Sequence, residues 1–378
     1  MKRWLVALFY FFLTFVAAKA TFVLVAAVVS KSMGSTQISH ILVIRLGSLS
    51  EAAMSVYALV GLVRDYPELK ITVLTSHRLA PVFRGVVGVN FLFDDELHYQ
   101  GLKGEVRLWR DIRRLGVDAV ADLSPTLRSR LMCILLPPWR ARRARLKGDG
   151  LEGRALTRKY RKVMVQLTTP ADRSRRLFGS LGLPFCMPSP EPPMPLYILP
   201  DVVEILLGEK CGKWVGVDLL THHNGTCYPI PQTARIIELL AQHYSKVVLF
   251  GDGGYQRQFT EAMQSKWENV ISVAGRSSVN EQMDILSALD AVVCADGDVL
   301  RLATLVGTPS ISVWGATHPF LESANYGQSP QNVVQRNLAC RPCSSSGRRR
   351  CMFGGYECMR SILPEEIFEK VWNVTCGN

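Results

Sequence analysis

The stretch ILVIRLGSLSEAAMSVYALVGLV, Ile41 to Val63, carries the strongest fold signal in the chain. It begins with an apolar run typical of a buried strand and passes through a Gly/Ser turn. It continues as a helix that we expect to extend from Glu51 to Tyr66. In open α/β sheets, ligands bind beyond the carboxyl ends of the strands, where such turns lead into helices. The stretch therefore predicts a parallel sheet with a ligand site at the end of its first strand.

Strands and helices alternate along both halves of the chain, which is typical of parallel sheets covered by helices on both faces. In the first half we predict strands over Lys70–Thr75, Val89–Phe93 and Val117–Leu123, and helices over Leu79–Gly85 and Lys103–Leu115. In the second half we predict helices over Pro231–His243, Tyr255–Trp267, Asn280–Leu289, Val299–Val306 and Pro364–Val374, all but the last following an apolar strand. The pattern predicts two doubly wound, Rossmann-like α/β domains that face a cleft.

A stretch with seven prolines, Pro184 to Pro200, separates the two halves and predicts an extended linker. We therefore divide the chain into five segments. They are a membrane-associating segment (1–36), an N-terminal acceptor-side domain (37–183), the linker (184–200), a C-terminal nucleotide-sugar domain with a Cys-rich tail (201–363) and a final helix (364–378).

The N-terminal segment contains an apolar run from Trp4 to Val29 that is broken only by Lys19. Since about 20 apolar residues span a bilayer, the run is long enough for a membrane anchor. A cleavable signal peptide and an interfacial segment are the alternatives. Positive charges flank both ends of the run, so they do not decide its orientation.

The net charge of +12 is concentrated between Trp139 and Arg176, where 13 Lys and Arg residues face three acids. This asymmetry predicts a localised anionic partner, such as a phosphorylated lipid headgroup. Nucleic acid is not expected, because the segment lacks interleaved aromatic residues apart from Tyr160.

Ten cysteines are present, and four of them follow the pattern Cys340-x2-Cys343-x7-Cys351-x6-Cys358. The first pair has the spacing of zinc ligands and the second pair does not. Structural thiols, a disulfide and a zinc site all stay open, and we assign no residue as a metal ligand. We expect no certain cofactor, although a divalent metal could accompany an anionic substrate.

The chain resembles known proteins most closely in the stretches ILVIRLGSLSEAAMSVYAL, VDAVADLSPTLRS, VVLFGDGG and ISVAGRSSVNEQMDILSALDAVVCADGDVLRLATLVGTPSISVWGATHP, and in the Cys-rich tail. From about Ser39 to the C-terminus it resembles the heptosyltransferases of glycosyltransferase family 9. The resemblance implies a GT-B fold, an inverting sugar transfer, a nucleotide-sugar donor that is typically ADP-heptose, and an acceptor in the lipopolysaccharide inner core.

The resemblance also suggests roles for individual residues. Glu51 occupies the place of the family's catalytic aspartate, where a base would take the proton of the acceptor hydroxyl; its alternative role is to favour the helix N-terminus. The candidate donor-binding residues are Asp296, Gly297, Arg301, His222, His223, Gly251, Gly253 and His318. The candidate acceptor-binding residues, taken from the basic segment, are Arg142, Arg143 and Arg145.

Three departures from the family pattern favour a second hypothesis, a catalytically inactive relative that binds saccharide or partner proteins in envelope assembly. Glu51 is longer than aspartate, Asp298 and Arg301 alter the phosphate turn, and residues 221–226 contain no lysine. We expect Asp298 to cap its helix and to repel a diphosphate.

We expect the protein at the cytoplasmic face of the inner membrane, where a nucleotide sugar is available. A single membrane span with Lys2 and Arg3 on the cytoplasmic side would instead place the two domains outside the cytoplasm.

Overall fold

The computed structural model describes residues 38–94, 99, 101–135, 141–147, 150–188, 201–321 and 327–377. The predicted membrane-associating run and residues 189–200 of the linker lie outside the described residues. Within these ranges, none of the helices combines the length and the apolar character needed to span a bilayer.

The first domain is built on a five-stranded parallel sheet with the order β3-β2-β1-β4-β5. All five residues of β1 are buried, because this central strand is covered on both faces. The strands are β1 His40–Ile44, β2 Lys70–Thr75, β3 Val89–Phe93, β4 Ala119–Asp122 and β5 Arg142–Arg145. The helices are α1 Leu49–Asp65, α2 Gly101–Arg114, α3 Leu127–Leu135, α4 Gly150–Thr157 and α5 Pro170–Ser180, with a 3-10 turn over Ala80–Phe83.

The second domain contains a six-stranded parallel sheet with the order β11-β10-β9-β6-β7-β8. The strands are β6 Trp214–Asp218, β7 Lys246–Leu249, β8 Val270–Ser272, β9 Ala291–Ala295, β10 Ser310–Trp314 and β11 Val333–Gln335. The helices are α6 Asp201–Leu207, α7 Ile230–His243, α8 Tyr255–Gln264, α9 Val279–Ala288, α10 Asp298–Val306, α11 Glu357–Arg360 and α12 Pro364–Thr375, with a 3-10 turn over Pro330–Asn332. The predicted fold class, two parallel-sheet α/β domains, is confirmed.

The two domains share a continuous hydrophobic core, in which helix α1 of the first packs against helix α10 of the second. The buried hydroxyl of Tyr57 on α1 donates a hydrogen bond of 3.1 Å to the carbonyl of Thr304 on α10. Beside this contact, Arg84 forms an ion pair of 2.5 Å with Asp284 on α9. These contacts bring the loops after β1 and β2 opposite the loops after β6, β7 and β9.

The basic segment contains regular secondary structure for which the sequence analysis made no prediction, namely strand β5, helix α4 and most of helix α5. Between α4 and α5, residues 158–169 form an arm that reaches the second domain. The backbone N–H of Leu167 donates to the carbonyl of Phe320 at 2.9 Å. The ammonium group of Lys162 donates to the carbonyls of Cys340 and Pro342. The arm therefore joins the first domain to the Cys-rich tail of the second.

Candidate active site

A cavity of about 780 Å³ lies between the domains at the carboxyl ends of their strands. Three helices point their N-termini into it: α1 through Ser48 and Ser50, α9 through Ser278, and α10 through Gly297 and Asp298. Helix N-termini carry unsatisfied N–H groups and partial positive charge. Their convergence makes the cavity suited to an anionic ligand.

The N-termini of α1 and α10 are bridged by one carboxylate. Oδ1 of Asp298 accepts hydrogen bonds from the backbone N–H of Ser50 at 3.0 Å and from its hydroxyl at 2.5 Å. The prediction that Asp298 caps α10 is wrong, because Gly297 is the capping residue and Asp298 is the first residue of the helix. The Asp298 carboxylate instead places a negative charge of the protein itself between two helix N-termini.

Glu51 lies one residue beyond the cavity lining, in the first turn of α1. Its side chain is 56% exposed, and its Oε2 atom lies 3.5 Å from a guanidinium nitrogen of the buried Arg45. Its backbone N–H donates to the capping hydroxyl of Ser48 at 3.3 Å. The carboxylate is therefore both at the rim of the cavity and in the position where an acid favours a helix N-terminus.

The floor of the cavity is acidic. Asp218 at the end of β6, Asp252 after β7, and Asp296 and Asp298 after β9 all line it. Burial, and the charges of Asp252 and Asp298, raise the pKa of Asp218 to about 7. Among the described residues Asp218 has no hydrogen-bond donor to hold it ionised, so it changes charge near neutral pH.

The two histidines of the 221–226 loop lie in the cavity but are already engaged. Nε2 of His222 lies 3.0 Å from Oδ2 of Asp252. Nε2 of His223 accepts a hydrogen bond of 3.0 Å from Arg348. Because a guanidinium can only donate, His223 is a neutral acceptor in this pair, and the positive charge belongs to Arg348.

Two arginines that the sequence did not single out line the cavity. Arg78 follows β2 in the first domain, and Arg348 belongs to the tail of the second. Both side chains are exposed, and neither forms an ion pair with a carboxylate of the described residues. The loop that carries Arg348 contacts the 221–226 loop, because the backbone N–H of Gly225 donates a hydrogen bond of 3.2 Å to the carbonyl of Gly347. These two guanidinium groups can supply positive charge to the cavity, whose 221–226 loop contains no lysine.

The other predicted donor-binding residues divide into two groups. Gly251 lines the cavity in the turn after β7, and Gly253 belongs to the same turn with a positive φ of 122° that favours glycine. Arg301, in contrast, is 1% exposed and pairs with Asp296 at 3.2 Å, so it lies beneath the cavity and does not line it. His318 also lies outside the lining, and burial together with nearby Arg341 lowers its pKa to about 4, which leaves it neutral.

The predicted acceptor-binding arginines lie on edge strand β5 and do not reach the cavity lining. Arg142 donates to the carbonyl of Leu181 at 3.2 Å. Arg145 forms an ion pair of 3.1 Å with the buried Asp122 on β4. Burial lowers the pKa of Arg143. The contacts of Arg142 and Arg145 stabilise the edge of the sheet.

In the part of the chain that the structure describes, no three or more His, Cys, Asp or Glu side chains already form a metal-binding cluster. The four aspartates of the cavity floor therefore do not form such a cluster.

Residues 211–354 match the family model of glycosyltransferase family 9 (heptosyltransferase). A 96-residue segment is 28% identical to lipooligosaccharide heptosyltransferase 2 of Haemophilus influenzae; it spans 24% of this chain and 28% of that relative.

Two solved structures share the fold. One is a glycosyl transferase of family 9 from Veillonella parvula, with a TM-score of 0.66, 14% identity, and coverage of 91% of this chain and 99% of that one. The other is the ADP-heptose lipopolysaccharide heptosyltransferase II of E. coli, with a TM-score of 0.64, 15% identity, and coverage of 89% and 98%.

Proposed function

Because residues 211–354 match the family model of glycosyltransferase family 9, we propose that the chain is a member of that family and that it transfers a heptose-like sugar from a nucleotide-diphosphate donor to a lipopolysaccharide core or a related envelope glycan. The observation that carries the proposal is the interdomain cavity, which combines three helix N-termini with two arginines free of carboxylate partners. This combination suits a diphosphate, whose charge is stabilised by oriented N–H groups and guanidinium cations.

The donor lies mainly against the second domain. The nucleoside lies against the turn at Gly251 and Asp252 and against the N-terminus of α9. Because glycine has no side chain, the backbone of the turn can approach the ligand closely. The diphosphate lies between the N-terminus of α10 and Arg348. The sugar then points towards the N-terminus of α1, where Glu51 lies at the rim.

In the proposed reaction, the acceptor hydroxyl attacks the anomeric carbon and the bond from that carbon to the diphosphate breaks. Glu51 takes the hydroxyl proton as the general base, and the nucleoside diphosphate leaves with the bonding electron pair. Arg348, Arg78 and the helix N-termini stabilise the charge that develops on the leaving phosphate. Attack from the face opposite the leaving group inverts the anomeric configuration.

The acceptor is proposed to be an anionic glycolipid at the cytoplasmic face of the inner membrane. The arm supports this, because it presents Arg158, Lys159 and Arg161 beside exposed apolar side chains of Val163 and Val165. Basic and apolar groups together favour an anionic lipid surface.

Asp298 should weaken donor binding, because its carboxylate occupies the position between α1 and α10 that the diphosphate needs. We expect Asp298→Asn to lower the donor Kd by about tenfold, since it removes a like charge at close range. Ser50→Ala is the matched control, as it removes one hydrogen bond and keeps the charge; its Kd should change much less. A donor Kd that is unchanged or higher in Asp298→Asn would contradict this role.

Donor binding should also depend on pH through Asp218. With a pKa of about 7, Asp218 is neutral at pH 6 and ionised at pH 8, so the donor Kd should rise by up to about tenfold between these values. The same raised pKa means that the folded chain keeps a proton which the unfolded chain loses above about pH 4. The contribution of Asp218 to the free energy of unfolding should therefore decrease from about pH 4 to pH 7.

Asp218→Asn removes the titrating carboxyl and tests this pH dependence. Calorimetric titrations of the variant at pH 6, 7 and 8 should give one donor Kd. If the variant keeps the pH dependence of the unmodified chain, another group is responsible.

The contact between Asp298 and Ser50 also favours a second candidate function, the binding of a saccharide without transfer. A cavity whose anion position is filled by a side chain of the protein can accept a neutral sugar more easily than a diphosphate.

A transfer assay separates the two functions. The full chain, purified in detergent, is incubated with ADP-heptose and heptose-free lipopolysaccharide, and released ADP is measured together with the mass of the acceptor. The proposed function predicts ADP release and an acceptor heavier by one heptose. Saccharide binding without ADP release would instead support the second function.

A further inference from the structure

Helices α2 and α3 cover the same face of the first sheet and turn their outer sides to solvent. Leu108 of α2 and Met132 of α3 pack in one hydrophobic cluster with Leu42 of β1. An ion pair of 2.6 Å between Glu105 and Arg128 links the two helices. We refer to six of their exposed residues as the α2–α3 face: Lys103, Val106, Arg107, Arg110, Leu127 and Leu131.

Three of the six residues of the α2–α3 face are apolar. Val106 is 52% exposed, Leu127 74% and Leu131 53%. Leu127 and Leu131 are four residues apart, so they lie on the same side of α3. Val106 follows Glu105 in the chain and Leu127 precedes Arg128, so the ion pair brings the two apolar positions together. Exposed apolar residues that are grouped in this way indicate a binding surface.

The other three residues of the face are cations without counter-charges. The acids of α2, Glu105 and Asp111, already pair with arginines of the first domain. Lys103, Arg107 and Arg110 are spaced by four and three residues, which aligns them along one side of the helix. None of these three forms an ion pair within the part of the chain that the structure describes. Their charge therefore favours an anionic partner.

The chain enters the first domain beside one end of this face. Nδ1 of His40, the first residue of β1, lies 3.2 Å from the carbonyl of Leu115, which directly follows α2. The apolar run that the sequence predicts to associate with a membrane ends at Val29. Residues 30–37 span at most about 30 Å even when fully extended. A run held in a bilayer would therefore keep the C-terminal end of α2 near the bilayer surface.

We propose that the α2–α3 face docks onto the anionic surface of a lipid bilayer. Its three cations contact lipid phosphate groups, and its three apolar side chains enter the boundary between headgroups and acyl chains. Nucleic acid also binds rows of cations, but its phosphate backbone offers no apolar layer for the leucines. The face shares no residue with the arm, and docking requires neither donor nor acceptor. The inference therefore goes beyond the proposed function.

Photo-crosslinking of the full chain tests the proposal. The chain is reconstituted in nanodiscs of phosphatidylcholine with about 30% phosphatidylglycerol, without donor or acceptor. A benzophenone amino acid replaces Leu127 or, as the control, Leu363, which is 52% exposed but lies in the second domain. Mass spectrometry should find at least about ten times more lipid adduct at position 127 than at position 363. Equal yields at the two positions would overturn the proposal.

Removing the cations of the face tests its charge. In Lys103→Ala/Arg107→Ala/Arg110→Ala, the ratio of docked to undocked chain should fall by about 100-fold, because each cation near an anionic surface contributes about fivefold. Alanine favours helices, so the variant should fold, which circular dichroism verifies. The control removes three exposed cations of the second domain and should keep the adduct: Arg257→Ala/Lys266→Ala/Arg360→Ala. Equal adduct yields at position 127 in the two variants would contradict docking through the face.

The same experiment identifies other occupants of the face. Adducts from position 127 to a second copy of the chain, in place of lipid, would overturn the proposal in favour of self-association. Loss of the lipid adduct on addition of RNA, with RNA binding that the cation-free variant lacks, would overturn it in favour of nucleic acid. Because the nanodiscs contain no donor or acceptor, failure to dock contradicts this inference alone, and absence of transfer contradicts the proposed function alone.

Discussion

Replacing Glu51 with glutamine should lower kcat by about 100- to 10,000-fold and leave the donor Kd unchanged. Glutamine has nearly the same shape and can still accept a hydrogen bond from Arg45, but it cannot take a proton. Since the Glu51 side chain is 56% exposed and its contact with Arg45 is 3.5 Å long, the substitution should change the free energy of unfolding by no more than about 1 kcal/mol. Turnover is measured by ADP release and donor binding by calorimetry.

The chain offers a closely matched control in Glu281. Both acids occupy the third position of a helix whose N-terminus lines the cavity, and both donate their backbone N–H to a capping serine at 3.3 Å. Glu281→Gln should therefore reproduce the small loss of stability without the loss of turnover. If both variants turn over like the unmodified chain, Glu51 only favours its helix N-terminus, and a different group must accept the proton.

Replacing Arg348 with alanine should raise the donor Kd by about 10- to 100-fold. Arg348 is an exposed cation of the second domain that lines the same cavity as the N-terminus of α10, and it donates a hydrogen bond there to the neutral His223. Charge-assisted hydrogen bonds from a guanidinium to phosphate contribute about 1.5–3 kcal/mol, which corresponds to this change in Kd.

Arg350→Ala is the control for this substitution, because Arg350 is exposed in the same loop but does not line the cavity. Its donor Kd should match that of the unmodified chain. Equal donor binding by the Arg348 and Arg350 variants would remove Arg348 from the site. Equal weakening by both would indicate a general effect of charge in place of a specific contact.

The long apolar strands could be predicted from sequence because burial on both faces requires near-continuous apolar runs, as in β1 and β9. Strand β5 could not, since its sequence RRAR has no apolar pattern. It forms because Arg145 lies opposite Asp122 on β4 in the parallel register and pairs with it. Because Asp122 and Arg145 are 23 residues apart in the chain, no local sequence pattern indicates that they interact.

The candidate site was predicted less completely than the fold. The turns at Gly251 and Asp296 follow apolar strands, and that local signal placed them at the cavity. Arg301 is buried because α10 is covered along Val299–Val306 by neighbouring elements, α1 of the other domain among them, and no local pattern encodes these tertiary contacts. Arg348 reaches the cavity only because the tail folds back onto the 221–226 loop, so its position in a basic run resembled that of any exposed cation.

Titration calorimetry of the full-length chain with ADP-heptose tests most directly whether the interdomain cavity is a nucleotide-sugar site. We predict one site per chain with a Kd between about 1 μM and 1 mM, the range usual for enzyme substrates, and weaker binding in Arg348→Ala than in Arg350→Ala. No binding heat at millimolar ADP-heptose, for the unmodified chain and for Asp298→Asn, would contradict the account.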